Sequence, residues 1–418
     1  MGLLRTASIF TALIIAGLIL SFLTGPWTFS ALRAVPPPFV VDANKGVTRI
    51  VVGSGLDQRK PMPVWTAILA SEPEIVVIAG DVVRGDAPSS DPKASRLATA
   101  YRTLGRVSEL QILRRRVPVL AIWDAYDYGG PGSGRDFVGK GEAQARFDAF
   151  WGLKPDSQRA QHPGRYDAVV LGPPGQRVQI ILLDERWFRS VPKSGPVGGP
   201  RFLPDLDPAQ SMLGADQWTW LEGELRKPAD IRLVVSPLPV VPDVPGAETW
   251  SLLPNERTKL FDLITETGAK GVIFLSGNRR AGAIYRDAAG APYPVFELTA
   301  SGLNSAHVAG PGAPEAQRIG PLYEADNFGV VQIDWARQSV ALELKSVDGQ
   351  TVREVSVPIP VLVPTARTVS SVLWPDEPTG SIAPDASPVP ETMVDAATPP
   401  PIAAVAGAAP PAEDAVAP

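Results

Sequence analysis

Short apolar runs alternate with amphipathic stretches through the middle of the chain. Strands are predicted at residues 49–52, 74–79, 117–123, 168–172, 178–183, 231–236 and 272–276. Helices are predicted at 64–71, 94–114, 142–151, 216–226 and 255–267, and further strands at 293–299, 328–334 and 339–344. Because short apolar strands that end in turn residues are separated by helices, the pattern predicts a layered α/β domain.

The N-terminus carries one long apolar segment. Residues 6–24 contain no charge, and a helix of that length rises about 28 Å, close to the thickness of a bilayer's hydrocarbon core. We interpret the segment as an uncleaved transmembrane anchor. A cleaved signal peptide is the alternative, but its apolar core usually has about 7–15 residues, and no small-x-small cleavage site follows here. Arg5 on the short side predicts that the main domain lies outside the cytoplasm, in the periplasm of a Gram-negative cell.

Proline-rich stretches bound the folded part of the chain. Pro36-Pro37-Pro38 begins a stiff spacer, and the folded domain is predicted to span residues 46–360. Residues 365–418 are rich in proline and alanine and lack apolar periodicity, so a disordered tail is predicted there. We prefer an inert linker as its role; a flexible arm that spans an envelope space is the alternative.

Composition excludes several classes of function. The net charge of −5 gives no electrostatic support for binding nucleic acid. The absence of cysteine excludes disulfides, thiolate metal sites and cysteine nucleophiles. Only two histidines occur, His162 and His307, so a histidine-rich dinuclear metal site cannot be assembled.

Polar residues follow several of the predicted strands directly. They stand at Gly53-Ser54-Gly55, Gly80-Asp81, Asp124-Ala-Tyr-Asp127, Asp184-Glu-Arg186 and Ser276-Gly-Asn-Arg-Arg280. Loops after strand ends form the ligand sites of open α/β sheets, and carboxylate and amide oxygens suit a hard or borderline cation. Such residues also cap turns without any ligand, and the residues alone leave both interpretations open.

The order of these loops resembles that of the PhoD-like (alkaline phosphatase D) metallophosphoesterases. That family has Gly-Ser-Cys, Gly-Asp-Asn-x-Tyr-Gly-Asp, Trp-Asp-Asp-His-Asp-Tyr-Gly, Leu-Leu-Asp-Thr-Arg-x-Phe-Arg and Ser-Gly-Asp-x-His in this order. The chain has Gly53-Ser54-Gly55, Gly80-Asp-Val-Val-Arg-Gly-Asp86, Trp123-Asp-Ala-Tyr-Asp-Tyr-Gly129, Leu182-Leu-Asp-Glu-Arg-Trp-Phe-Arg189 and Ser276-Gly-Asn-Arg-Arg280. The resemblance, over about residues 48–344, implies a four-layer αββα sandwich.

Most positions that hold metals in the family differ here. The cysteine position is Gly55, and the asparagine and tyrosine positions of the second motif are Val82 and Arg84. Ala125 and Tyr126 replace an aspartate and a histidine, and Asn278 and Arg280 replace another such pair. Among the direct ligands that the resemblance implies, only Asp81 survives. Asp124, Asp127, Asp184 and Arg186 also match the family pattern, without an assigned ligand role.

These losses predict a poor metal centre. A two-metal centre neutralises phosphate charge and generates hydroxide, which requires strong ligands around an open site. Arg84 and Arg280 add positive charge at former ligand positions, and a like-charge contact at about 4 Å costs roughly 4 kcal/mol at an effective dielectric of ~20. Two roles are open for such arginines. They pair internally with aspartates, the interpretation we prefer, or with Arg186 and Arg279 they bind phosphate without a metal.

The sequence therefore predicts a membrane-anchored pseudo-phosphatase that binds a phosphate-containing ligand or an envelope protein. The candidate pocket residues are Asp81, Arg84, Asp124, Tyr126, Asp127, Asp184, Arg186, Asn278, Arg279 and Arg280. No metal cofactor is expected. The alternative is an active phosphoesterase with one or two divalent or trivalent ions, held by Asp81, Asp124 and Asn278 with Asp127.

Overall fold

The computed structural model describes residues 44–85, 91–288, 292–307 and 315–364. The predicted anchor at 6–24 and the predicted tail at 365–418 lie outside this part of the chain. Within the part that is described, none of the helices has both the length and the apolar character needed to cross a membrane.

Strands and helices alternate in the N-terminal two thirds of the described chain. The helices are α1 (Val64–Ala70), α2 (Ser95–Leu104), α3 (Ser108–Arg116), α4 (Lys140–Trp151), α5 (Gly214–Leu225) and α6 (Pro254–Glu266). The first nine strands are β1 (Arg49–Gly53), β2 (Ile75–Ala79), β3 (Val119–Ile122), β4 (Asp167–Leu171), β5 (Val178–Leu182), β6 (Lys193–Ser194), β7 (Phe202–Leu203), β8 (Ile231–Ser236) and β9 (Val272–Ser276). The remaining strands are β10 (Gly282–Asp287), β11 (Val295–Ala300), β12 (Asn327–Asp334), β13 (Ser339–Ser346) and β14 (Thr351–Pro358).

Two mixed six-stranded sheets form the centre of the fold, as the predicted α/β class requires. The first has the order β14-β13-β12-β1-β2-β3, with β1, β2 and β3 parallel to one another. The second has the order β10-β11-β9-β8-β5-β4, with β5, β8, β9 and β11 parallel. The parallel strands are buried along most of their length, which explains their nearly continuous Val, Ile and Leu content.

The two sheets touch where β11 faces β12. A Cβ added at Gly329 of β12 would lie 2.8 Å from the Leu298 side chain and 3.1 Å from Ala300, both on β11. Next to this contact, Ser54 after β1 and Ser301 after β11 form an isolated parallel bridge. The carboxyl ends of parallel strands from both sheets therefore come together at one edge of the molecule.

The helix predicted at 94–114 is wrong in one respect, because the structure divides it into α2 and α3. Helix α2 ends at Leu104, and Val107 is extended with φ −72° and ψ 115° before α3 begins at Ser108. Gly105 and the β-branched Val107, two residues later, disfavour a continuous helix there. The pair still forms one crossover from β2 to β3.

Candidate functional site

The loops after β1, β2, β3, β9 and β11 meet at this shared edge. Three non-glycine residues there have left-handed backbone angles: Asp81 (φ 53°), Asn278 (φ 61°) and Arg280 (φ 54°). Gly80 has φ 80°, and a Cβ on it would lie only 2.3 Å from Asp124 Cβ, so a side chain would push the β2 and β3 loops apart. Left-handed residues persist where surrounding contacts impose them, often at functional sites.

Three buried aspartates, Asp81, Asp124 and Asp127, form the centre of the site, and each is at most 3% exposed. Asp127 accepts three backbone N–H groups, from Asp124 at 2.6 Å and from Asp81 and Val82 at 3.2 Å each. Asp81 Oδ1 accepts the backbone N–H of Tyr126 at 2.7 Å. These bonds fix the β2 and β3 loops against each other.

Both carboxylate oxygens of Asp124 are engaged by protein donors. Arg186 donates to Oδ1 from Nε at 2.8 Å and from Nη2 at 2.5 Å. Asn278 donates from Nδ2 to Oδ2 at 2.7 Å. A buried guanidinium and an amide thus take up the oxygens that a cation would need.

Arg186 joins the aspartates to a second ion pair. Its Nη1 donates to Glu248 Oε1 at 2.8 Å, and Arg189 donates to the same oxygen at 2.8 Å. Both arginines also donate to the Ser133 carbonyl. Sequence reasoning missed Glu248 and Arg189. Glu248 lies in an irregular loop after β8, where nothing in the local pattern marks it as buried.

Burial and charge set the pKa values of this cluster. Burial first, then the charges of Asp124 and Asp127, raise the pKa of Asp81 well above its usual range. Burial raises the pKa of Asp127 to about 7 and also raises that of Asp124, although Arg186 opposes the second shift. Glu248 has its pKa lowered to about 2, because its two arginines outweigh the effect of burial.

Asp184 lies beside the cluster and fixes its own loop. Its Oδ1 accepts the Trp123 indole N–H at 2.8 Å and the backbone N–H of Arg186 at 3.0 Å. Its Oδ2 accepts the backbone N–H of Arg165 at 2.7 Å. This arrangement is the one expected of a turn-capping carboxylate.

The other candidate arginines lie around the cluster. Arg84 stacks over the Tyr126 ring, with its guanidinium carbon 3.9 Å from the ring centre. Arg279 pairs with Glu315 at 2.7 Å, and each side chain is 9% exposed. Arg280 donates from Nε to the Ser305 carbonyl at 3.2 Å and forms no ion pair with a carboxylate in the described ranges.

Of the two histidines, His162 stacks on Tyr166, with the ring centres 4.0 Å apart, and His307 donates its backbone N–H to the Arg280 carbonyl.

The structure thus brings five of the ten candidates into one hydrogen-bonded cluster: Asp81, Asp124, Asp127, Arg186 and Asn278. Tyr126 joins it through its backbone, and Arg84 joins through the Tyr126 ring. Asp184 is adjacent. The side chains of Arg279 and Arg280 instead contact Glu315 and the Ser305 carbonyl, respectively.

The sequence model of the PhoD-like phosphatases matches residues 50–343. The chain belongs to the PhoD-like phosphatase family. A solved structure described as PhoD aligns with TM-score 0.57 and 15% identity, over 78% of this chain and 70% of that one. No curated relative matches the sequence.

Two further solved structures align with TM-score 0.47 and 12% identity. One is a dimetal phosphatase from Danio rerio, and the alignment covers 77% of this chain and all of that one. GAP50, the anchor in the inner membrane complex of Plasmodium, is covered to 89% by 75% of this chain. Because the identities are low and two of the TM-scores are below 0.5, only the alignment with the PhoD structure supports an inference. It supports a similar fold.

The PhoD-like family implies a metal centre, but the residues at this site do not fit one. Asp124 has both oxygens bonded to Arg186 and Asn278, and Asp127 accepts three backbone N–H groups. Gly55, Val82 and Ala125 supply no side-chain donor. Within the described ranges, no group of three or more His, Cys, Asp or Glu side chains is arranged to hold an ion.

Proposed function

We propose that this PhoD-like protein is a pseudo-phosphatase, a binding protein built on the phosphatase scaffold. One observation carries the proposal: the Arg186 guanidinium and the Asn278 amide occupy both oxygens of Asp124 at the centre of the site. A fixed cation in that position neutralises the carboxylates without generating hydroxide, and hydroxide is what metal-dependent ester hydrolysis requires.

The ligand that we propose is a phosphate-containing molecule, bound at the rim of the cluster. Arg186 and Arg279 are held by buried carboxylates, so they support the internal-pairing role. Arg280 forms no ion pair with a described carboxylate, and Arg84 lies flat on Tyr126. Guanidinium groups bind phosphate through paired N–H donors, which makes Arg280 the residue to test.

The second candidate function is slow hydrolysis at a single metal ion. Its support is Asp81, whose Oδ1 accepts the Tyr126 N–H and whose Oδ2 accepts no hydrogen bond from a residue of the described ranges. One carboxylate oxygen is a weak basis for an ion that needs several donors.

The deciding experiment combines metal content with turnover. The purified full-length chain is analysed for iron, zinc, manganese and calcium, and assayed with a chromogenic phosphomonoester and phosphodiester. We expect substoichiometric metal and no turnover above that of Asp81→Ala. Stoichiometric metal with turnover that Asp81→Ala abolishes would establish the hydrolase instead.

Phosphate binding is tested separately by calorimetry with inorganic phosphate and a phosphoester. We expect heat of binding that is lost in Arg280→Gln and kept in Arg337→Gln, since Arg337 is 85% exposed and pairs with Asp334 away from the site. No heat at millimolar ligand would refute the phosphate ligand while leaving the absence of hydrolysis intact.

We further propose that the domain is membrane-anchored and lies outside the cytoplasm, in a four-layer αββα arrangement. The support for the anchor is the uncharged apolar segment at 6–24. We also propose that the protein binds an envelope protein. A pull-down with a variant that lacks the region after residue 365 tests this proposal, and we expect the variant to lose the partner.

A further inference from the structure

The crossover from β2 to β3 carries a local excess of positive charge. Residues 91–116 contain seven basic side chains and two acidic ones, a net of +5 in a chain whose total is −5. The acidic ones are Asp91 and Glu109. Charge concentrated against the sign of the whole molecule is the pattern expected of an interaction surface.

Four of these arginines form an exposed strip that we call the basic ridge: Arg102, Arg106, Arg115 and Arg116. None of the four makes an ion pair with another residue of the described chain. Some exposed basic residues elsewhere do pair with a carboxylate: Lys270 pairs with Asp230 at 3.1 Å and Arg226 with Glu222 at 2.7 Å. Arg102 and Arg106 lie at the junction of α2 and α3, and Arg115 and Arg116 lie at the end of α3, whose nine residues rise about 14 Å.

The neighbouring Arg114 shows what a structural arginine looks like on the same helix. Its guanidinium lies 4.9 Å from the Phe150 ring centre and 5.2 Å from that of Trp151, and it donates to the Phe150 carbonyl. Burial lowers its pKa to about 10. The ridge arginines have no such packing role, and their positive charge faces solvent.

The ridge ends where the described chain begins. Arg116 lies three residues before β3, and residues 44–48 directly precede β1, so both points lie at the amino ends of these parallel strands. Two strand spacings separate these points, about 10 Å. Residues 25–43 connect this point to the apolar segment at 6–24, and 19 fully extended residues reach at most about 68 Å.

We infer that the basic ridge binds the anionic headgroups of a phospholipid membrane and holds the domain against the bilayer through α2 and α3. Charge complementarity and the position of the chain's entry support this occupant. Each basic residue near an anionic surface raises the membrane association constant about fivefold, an effect confined to about one Debye length. The inference rests on the proposed anchor at 6–24, but it does not depend on what the site at the carboxyl ends of β1 to β3 binds.

The absence of cysteine makes the test direct. Ser108→Cys, on the exposed first residue of α3, accepts a fluorophore whose emission is quenched by brominated lipids. Full-length protein is reconstituted with phosphatidylcholine vesicles, with or without phosphatidylglycerol. We expect strong quenching only with phosphatidylglycerol, and we expect that raising sodium chloride removes it. A label at Thr219→Cys on α5 should not respond.

Charge-reversal variants separate the ridge from general electrostatics. Arg102→Glu with Arg115→Glu should reduce the phosphatidylglycerol-dependent docking at least about tenfold. Lys193→Glu with Arg286→Glu reverses two exposed charges elsewhere and should leave docking unchanged. Equal quenching at residue 108 in both lipids overturns the inference, as does equal loss in the two double variants. Salt dependence of the unmodified chain provides a readout that does not depend on either variant folding.

Discussion

At the scale of single residues, the Asp124–Arg186 pair determines both the stability and the chemistry of the site. Both side chains are fully buried, and their closest atoms are 2.5 Å apart. A buried ion pair contributes little compared with apolar residues of the same shape, but removing one partner leaves an uncompensated charge.

We therefore predict that Asp124→Ala lowers the free energy of unfolding by about 3–5 kcal/mol, because Arg186 remains buried with Glu248, shared with Arg189, as its remaining carboxylate partner. Urea denaturation at pH 7 measures the change. The matched control is Asp334→Ala, which breaks an exposed pair with Arg337 and should cost about 0–1 kcal/mol. A loss from Asp124→Ala no larger than that of the control would contradict the buried pair.

Glu185 is a second buried carboxylate, beneath the loops after β5 and β8. Its Oε1 lies 2.5 Å from Ser236 Oγ, and the same hydroxyl contacts the Leu238 carbonyl. A single hydroxyl hydrogen cannot serve two acceptors, but a protonated Glu185 donates to Ser236, which then donates to Leu238. Burial accordingly raises the pKa of Glu185 to about 8.

This shift predicts that stability falls with rising pH. A carboxyl group whose pKa is higher in the folded state contributes stability below its unfolded value of 4.5, and the contribution is lost as pH rises through about 8. Asp127 and Glu297, both with pKa about 7, act in the same direction. Thermal melting between pH 5 and 9 should show a falling midpoint.

The control for this pH dependence is Glu185→Gln, an amide that keeps the donor to Ser236 without a titratable proton. Its melting midpoint should fall less steeply with pH than that of the unmodified chain. Identical slopes would show that Glu185 is not the group responsible.

At the scale of elements, glycines mark where strands approach each other. Gly329 in β12 is such a position, since a Cβ there would lie 2.7 Å from Val52 and 2.8 Å from Leu298. Gly223 in α5 is the opposite case, with nothing within 4 Å of its added Cβ.

We predict opposite effects of alanine at these two glycines. Gly329→Ala should destabilise by about 1–3 kcal/mol, because the added methyl forces the two sheets apart. Gly223→Ala should stabilise by about 0.5–1 kcal/mol, since alanine favours the helix and meets no neighbour. Urea denaturation of both variants checks the pair. No destabilisation by Gly329→Ala would contradict the sheet contact, and destabilisation by Gly223→Ala would contradict the open space around that position on α5.

Strong apolar periodicity allowed most elements to be predicted from the sequence. Buried strands such as β2 and β9 are uninterrupted apolar runs, and their predicted bounds differ from the observed ones by at most one residue. Strand β14 was missed because it is a sheet edge with charged and hydroxyl residues between its valines. Strand β10 was missed because it begins only two residues after Arg280, directly behind the polar loop 276–280.

Only those site residues that directly follow an apolar strand could be predicted from the sequence. Asp81, Asp124 and Asn278 follow apolar strands, and the structure brings all three together. Their partners are set by tertiary packing: Glu248 reaches Arg186 across 62 residues, and no local pattern encodes that contact. The same holds for Arg279, whose pairing with Glu315 depends on a segment that returns beside β10.

At the scale of the whole molecule, the last described residues make contacts with both sheets, on the side away from the candidate site. Ile359 donates its backbone N–H to the Gln338 carbonyl beside β13, in the first sheet. Leu362 is fully buried, and its carbonyl accepts the Gly271 N–H directly before β9, in the second sheet. The turn Ile359–Leu362 therefore connects two sheets that otherwise meet mainly near β11 and β12.

Two truncations test this closing role. Ending the chain after residue 364 keeps every contact of Ile359 and Leu362, so we expect an unfolding midpoint equal to that of the full chain. Ending it after residue 358 removes two buried aliphatic side chains and should cost at least about 2 kcal/mol. Chemical denaturation of both proteins compares them directly. If the protein that ends after residue 364 were as unstable as the one that ends after residue 358, residues beyond 364 would have to stabilise the sheets as well. If both were as stable as the full chain, the turn would not hold the sheets together.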